Sequence, residues 1–64
     1  MSRIRQLILD NIDESVASFC RNSGVNRTTV QQIIKGKYTQ KLSNLSLKRI
    51  CNYFGVDWKK YLED

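Results

Sequence analysis

Arg27, Thr28, Gln31 and Gln32 fall within one short stretch of this 64-residue chain, and their side chains carry the chemistry of base recognition. An arginine can bind guanine O6 and N7, a glutamine can pair with adenine N6 and N7, and a threonine can touch a thymine methyl group or a phosphate. Around them lies a second set, Asn26, Lys35, Lys37, Tyr38, Thr39, Lys41, Ser43 and Asn44, suited to phosphate oxygens, which fix register without reading sequence. Catalytic chemistry is poorly provided for. The chain has no histidine, its carboxylates sit near the chain ends or at helix starts, and neither Cys20 nor Cys51 has a recognisable base. The two cysteines lie far apart with no C-x-x-C pair to build a zinc site, so they read as reduced core residues. No enzyme, no metal, no cofactor and no small-molecule ligand is expected.

The charge pattern narrows the partner. The formal charge is +5, and all six acids (Asp10, Asp13, Glu14, Asp57, Glu63 and Asp64) lie outside residues 15–56. That interior stretch holds Arg21, Arg27, Lys35, Lys37, Lys41, Lys48 and Arg49 with no acid among them, which calls for a polyanion: nucleic acid or an anionic membrane surface. No apolar run exceeds the three residues Leu7, Ile8 and Leu9, against the roughly 20 needed to span a bilayer, and no signal peptide is evident. A cytoplasmic protein is expected, and the sequons at Asn26 and Asn44 read as chance matches. A membrane-surface helix needs a basic face and a bulky apolar face together, and no helix here has both.

A chain this short has room for one domain, residues 1–64, and its apolar share of 41% is enough for a small core. Its punctuation is helical. Gly24, Gly36 and Gly55 each follow a segment of helical periodicity, the place where a left-handed residue closes the last turn. Asn26 is a strong N-cap flanked by Val25 and Val30 in the positions of a hydrophobic staple; Leu42, Ser43 and Leu47, then Val56, Asp57 and Tyr61, repeat the device. Ile4, Leu7 and Ile8 give an apolar stripe for a first helix. A second starts after Asp13 or Ser15. The spacing predicts an all-α chain with five helices over about 2–11, 14–23, 27–35, 44–54 and 58–63. On the third, Val30, Ile33 and Ile34 share one side, while Thr28, Gln31, Gln32 and Lys35 point the other way.

The second and third helices are joined by Ser23-Gly24-Val25-Asn26 alone, which leaves room only for a tight helix-turn-helix over about 16–35. Phe19, Cys20, Gly24, Val25, Val30 and Ile33 form its expected core. The run from Phe19 to Lys37, with Gly24-Val25 in the turn and Gly36-Lys37 at its end, resembles the Leu-Ala-x-x-x-Gly-Val-Ser pattern of lambda-repressor-like domains, the Cro/CI or XRE group. Leu42-Ser43, Leu47, Ile50-Cys51 and Phe54-Gly55-Val56 are similar to that group's fourth helix and its exit, and 58–62 to its short fifth. The resemblance implies a compact five-helix DNA-binding domain, commonly a symmetric dimer on a palindromic operator.

Two positions depart from that pattern. Cys20 stands where the group usually has Ala, and Ile34 where it often has a Glu paired with an Arg on the first helix. Helix one offers Ile8 and Leu9 instead, so an apolar contact is expected to replace the ion pair. Residues at the N-terminus of a recognition helix usually reach furthest into the groove, which puts Arg27 and Thr28 first, with Gln31 and Gln32 one turn on. Lys48 and Arg49 read as an ordinary exposed face. Phe19 and Phe54 read as core, and Trp58 serves either the core or a dimer contact.

The leading expectation is a sequence-specific double-stranded DNA-binding regulator, a Cro/CI-like repressor of a phage or mobile element that acts by occupying its operator. With no second domain for ligand sensing, control would come from protein concentration and operator arrangement. An antitoxin-type regulator, or the N-terminal domain of a longer repressor, fits the same residues. From another class, an RNA- or protein-binding module would use the same basic surface without base readout, but the aromatic platforms typical of single-strand binding are missing beyond Tyr38.

Overall fold

The computed structural model describes residues 2–38 and 42–62, and within them the chain forms four α-helices and a closing 3-10 turn, with no strand. The helices are α1 (Ser2–Asn11), α2 (Val16–Ser23), α3 (Arg27–Ile34) and α4 (Asn44–Phe54), and the 3-10 turn is Trp58–Tyr61. The all-α fold agrees with the sequence pattern. Its boundaries differ in three places, each for a local reason.

α2 begins at Val16 rather than near residue 14, because Ser15 is extended and its Oγ accepts a hydrogen bond from the Ser18 N–H at 3.1 Å. Of the two possible caps, Ser15 is therefore the one in use. α3 stops at Ile34, and Lys35 forms its cap, with Gly36 beyond it in the left-handed region at φ 73°. The Gly36 N–H reaches Ile33 O and the Lys37 N–H reaches Gln32 O, so glycine reverses the chain while meeting carbonyls the helix leaves open. The last element is 3-10 rather than α: the Asp57 carboxylate accepts from the Lys59 N–H at 3.0 Å, and the Lys60 N–H bonds back to Asp57 O. Four residues under an i to i+3 bond make one tight turn and no more.

Helical spacing brings the apolar positions to one centre. Ile4, Leu7 and Ile8 from α1, Phe19 and Cys20 from α2, Val30 and Ile33 from α3, and Leu47, Ile50 and Cys51 from α4 are buried there, with Val25 and Leu42 entering from the loops. The Phe19 ring stacks on Phe54 at 5.3 Å and meets Tyr53 edge-on at 5.2 Å, which locks α2 to the end of α4. Burying a side chain of that size stabilises by roughly 1.5–3 kcal/mol. Both cysteines are free and buried, and burial pushes both thiols up from their ordinary values, so they behave as small apolar residues. α3 packs on both α1 and α2, and α4 on α2 and the 3-10 turn. The third helix is thus held from its inner side by two elements, and its other side faces outward.

Candidate nucleic-acid interface

The start of α3 is set by Asn26. Its backbone is extended, with φ −63° and ψ 129°, its Oδ1 accepts from the Thr29 N–H at 3.2 Å, and its carbonyl accepts from the Val30 N–H. The backbone N–H groups of Arg27 and Thr28 precede the first helical hydrogen bond, so they lie at the positive end of the helix dipole. Ahead of the cap, Gly24 sits at φ 80° with its N–H on Cys20 O at 2.9 Å, a conformation that a side chain would strain. The buried Val25 then anchors the link between the helices.

From this frame Arg27, Thr28 and Gln32 are exposed, and Gln31 is half-buried on the flank of the helix. Among the described residues, none of the four side chains makes a hydrogen bond within the protein. No acid lies anywhere on α3 or α4. The phosphate candidates divide more finely. Lys35, Lys37 and Asn44 are exposed. Asn26 and Ser43 are exposed as well, but each commits its side-chain oxygen to a helix start: Ser43 Oγ accepts from the Ser46 N–H at 3.2 Å and donates to Ser46 Oγ at 3.0 Å. Tyr38 is half-buried against the core, so part of its ring serves packing. Thr39 and Lys41 lie outside the described residues.

Two expectations about supporting residues are corrected in part. Lys48 and Arg49 are exposed, as expected, but each also makes a contact within the fold. Lys48 Nζ stands 4.6 Å from the centre of the Trp58 ring, which itself packs partly on the core, and Arg49 Nη1 donates to Gly24 O at 2.7 Å. The contact between α1 and Ile34 is also only partly apolar. Ile34 is half-buried against the core that contains Ile8, whereas Leu9 is 40% exposed and stands apart from it. A cation does come from helix one: Arg5 Nε donates to the Ile34 carbonyl at 2.9 Å. An arginine can donate to a bare carbonyl at the negative end of a helix, a weaker bond than one to a glutamate but favoured by the helix dipole.

Residue Glu14 is a further feature the sequence did not single out. Its carboxylate accepts from Ser18 Oγ at 2.6 Å, from Asn22 Nδ2 at 3.0 Å and from the Tyr53 hydroxyl. The Ser18 hydrogen bond, followed by that of Tyr53, holds its pKa below the ordinary carboxylate value, and the same contact raises the Tyr53 phenol. The spacing from Glu14 to Ser18 and Asn22 is one helical face and was legible in the sequence; the Tyr53 contact was not. This acid is fully engaged at the start of α2.

A capped short helix packed across its partner through a glycine turn, with an acid-free polar face turned outward, defines a helix-turn-helix DNA-binding domain. Residues 3–59 match the family model of the Cro/C1-type helix-turn-helix DNA-binding domain. The chain belongs to that family, and with it to the DNA-binding transcriptional regulators. No curated protein and no solved structure matches the chain. Among the described residues, no helix is long and apolar enough to cross a membrane.

Proposed function

We propose that the chain acts as a repressor of a phage or mobile element that binds a palindromic operator as a homodimer, with α3 in the major groove. The observation that carries this reading is the outer face of α3, where Arg27, Thr28 and Gln32 are exposed with their hydrogen-bonding groups unengaged among the described residues. A face meant only for water needs no such alignment of bidentate donors and acceptors beside a stretch free of acids. Arg27, Thr28, Gln31 and Gln32 read base edges, with Gln31 at the margin. Lys35, Lys37, Asn26, Ser43 and Asn44, together with Tyr38, Thr39 and Lys41, meet phosphates on either side. Asn26 acts there through the side-chain N–H groups left after capping, and both Asn26 and Ser43 through the amide N–H groups of their helix starts.

Selection of bound sites from random duplex DNA tests this. A recovered palindrome with half-sites about one helical turn apart is the expected result. Affinity for that site should exceed affinity for random duplex by about a thousandfold or more. With about four to six phosphate contacts per subunit, log K should fall with log salt at a slope of roughly −4 to −5 per subunit. Equal affinity for all duplexes at every salt concentration would defeat the operator reading.

A further inference from the structure

We propose that Arg49, on α4 and outside the helix-turn-helix, is a positioning residue for base recognition: it fixes the turn that aims the first turn of α3. Arg49 Nη1 donates to Gly24 O at 2.7 Å. A Cβ built on Gly24 would stand 3.7 Å from that nitrogen and 3.8 Å from the Arg49 Cδ and Cζ, so the arginine side chain lies alongside the turn, one ordinary van der Waals contact beyond where a side chain at Gly24 would begin. One residue is thereby held from two helices, its N–H by Cys20 O of α2 and its carbonyl by Arg49 of α4.

That double hold matters because the residue is glycine. With no Cβ, its backbone torsions are weakly restrained by sterics, and the orientation of the peptide group between Gly24 and Val25 depends on what grips it. The neighbouring Ser23 hydroxyl is buried with no partner, and among the described residues Arg49 is the side chain of α4 that hydrogen-bonds to this turn. Two residues further on, Asn26 starts the helix that presents Arg27 and Thr28. Bidentate base contacts need donor–acceptor distances of about 2.7–3.2 Å and near-linear geometry, so a small tilt at the turn removes them while phosphate contacts adjust. Arg5 grips the opposite end of α3 through Ile34 O, which makes it a natural control: its loss acts at the far end, away from Arg27 and Thr28.

The proposal rests on the reading of α3 as the base-reading helix, and three variants separate the two. Arg49→Met keeps the stem and removes charge and donors; Arg49→Lys keeps the charge without the guanidinium; Arg5→Met is the control. Sites are selected from random duplex DNA with each chain at matched folded fraction, salt slopes are measured, and amide exchange is followed without DNA. Arg49→Met should lose about tenfold or more in discrimination at the base pairs where Arg27→Ala also loses it, with an unchanged salt slope. Arg49→Lys should keep the slope and recover little of the discrimination. In the free protein, the Thr29 and Val30 amides of Arg49→Met should exchange faster relative to those of α4.

Three results would overturn it. A uniform loss over all duplexes with the slope reduced by about one would make Arg49 a phosphate contact. Exchange raised equally throughout the chain, with base preference intact, would make it a general stabiliser. Arg5→Met reproducing the same pattern of lost base pairs would show that the turn has no special part. A wild-type chain with no base preference would instead defeat the operator reading itself, an outcome distinct from a variant that keeps the preference of the wild type.

Discussion

The outward faces of α2 and α3 are both polar, and they are organised in opposite ways. On α2, Ser18 and Asn22 turn toward Glu14, Asn22 also reaches Ser18 Oγ at 3.4 Å, and Tyr53 closes the group from α4. On α3, the side chains of Arg27, Thr28, Gln31 and Gln32 make no hydrogen bond to any other described residue. The first face satisfies itself and contributes to the fold. The second leaves its donors and acceptors unengaged by the described residues. A count of polar residues does not separate these two faces, whereas the partner of each hydrogen bond does. The acid is the decisive difference: one carboxylate can collect hydroxyl, amide and phenol donors, and none is present along α3.

The largest effect expected in testing that contrast lies beneath the α3 face rather than on it. Ile33→Ala empties a fully buried position and should cost about 2–5 kcal/mol in urea denaturation, whereas Thr28→Ala on the outer face should stay within about 0.5 kcal/mol. Comparable losses at the two positions would mean that the outer face is structural after all.

Next in size are the residues proposed to read bases. Arg27→Ala or Gln32→Ala should each lose about 1–3 kcal/mol of discrimination at its own base pair, seen in competition binding with single-base operator variants, and leave folding nearly unchanged. Lys37→Ala should instead weaken every duplex alike and lower the salt slope by about one. Loss of affinity without any change in base preference on removing Arg27 or Gln32 would reassign them to the phosphate set.

The smallest effect belongs to α2. The Glu14 pKa lies below its ordinary value of 4.5, so the contribution of the charged carboxylate is present above that value and is lost as pH falls through the lowered one. Glu14→Gln keeps an acceptor but no charge. Its stability deficit, followed by denaturation from about pH 7 to about pH 3, should shrink on acidification, while the operator preference stays that of the wild type. A deficit that widened at low pH would contradict the hydrogen-bonded carboxylate.

Much of the fold was legible in local signals. Asn26, Ser43 and Asp57 cap the elements they were expected to cap, and the three glycines all take positive φ, since caps and stops depend on residues within a few positions of each other. The apolar periodicity of α1 and α3 named their buried faces for the same reason, and the resemblance named Leu47, Ile50 and Cys51 on α4. The misplaced boundaries also have local causes. Asp13 and Ser15 were equally good caps by residue type, and only the backbone at Ser15 separates them. At the end of the chain, the pattern from Trp58 onward suits either kind of helix, and Asp57 set the tighter one. In the candidate interface, the burial of Phe19, Cys20, Val25, Val30 and Ile33 was readable from spacing, whereas Gly24, expected in the same core, is exposed at the turn; the double duty of Asn26 and Ser43, the half-burial of Gln31 and the packing of Tyr38 were not readable.

By itself the sequence determined where helices start and stop, which faces are apolar, and that no carboxylate lies on the third and fourth helices, because these are properties of residue type and short spacing. Only the tertiary structure decided what holds the helix-turn-helix from α1 and α4. Arg5 to Ile34, Arg49 to Gly24 and Tyr53 to Glu14 join residues 29, 25 and 39 positions apart, and each depends on how α1 and α4 are laid against the helix-turn-helix by the shared core. Two of the three end on a backbone carbonyl, an acceptor every residue carries. Residue type therefore gives no sign of which carbonyl an arginine will find, and the packing of the buried faces selects it.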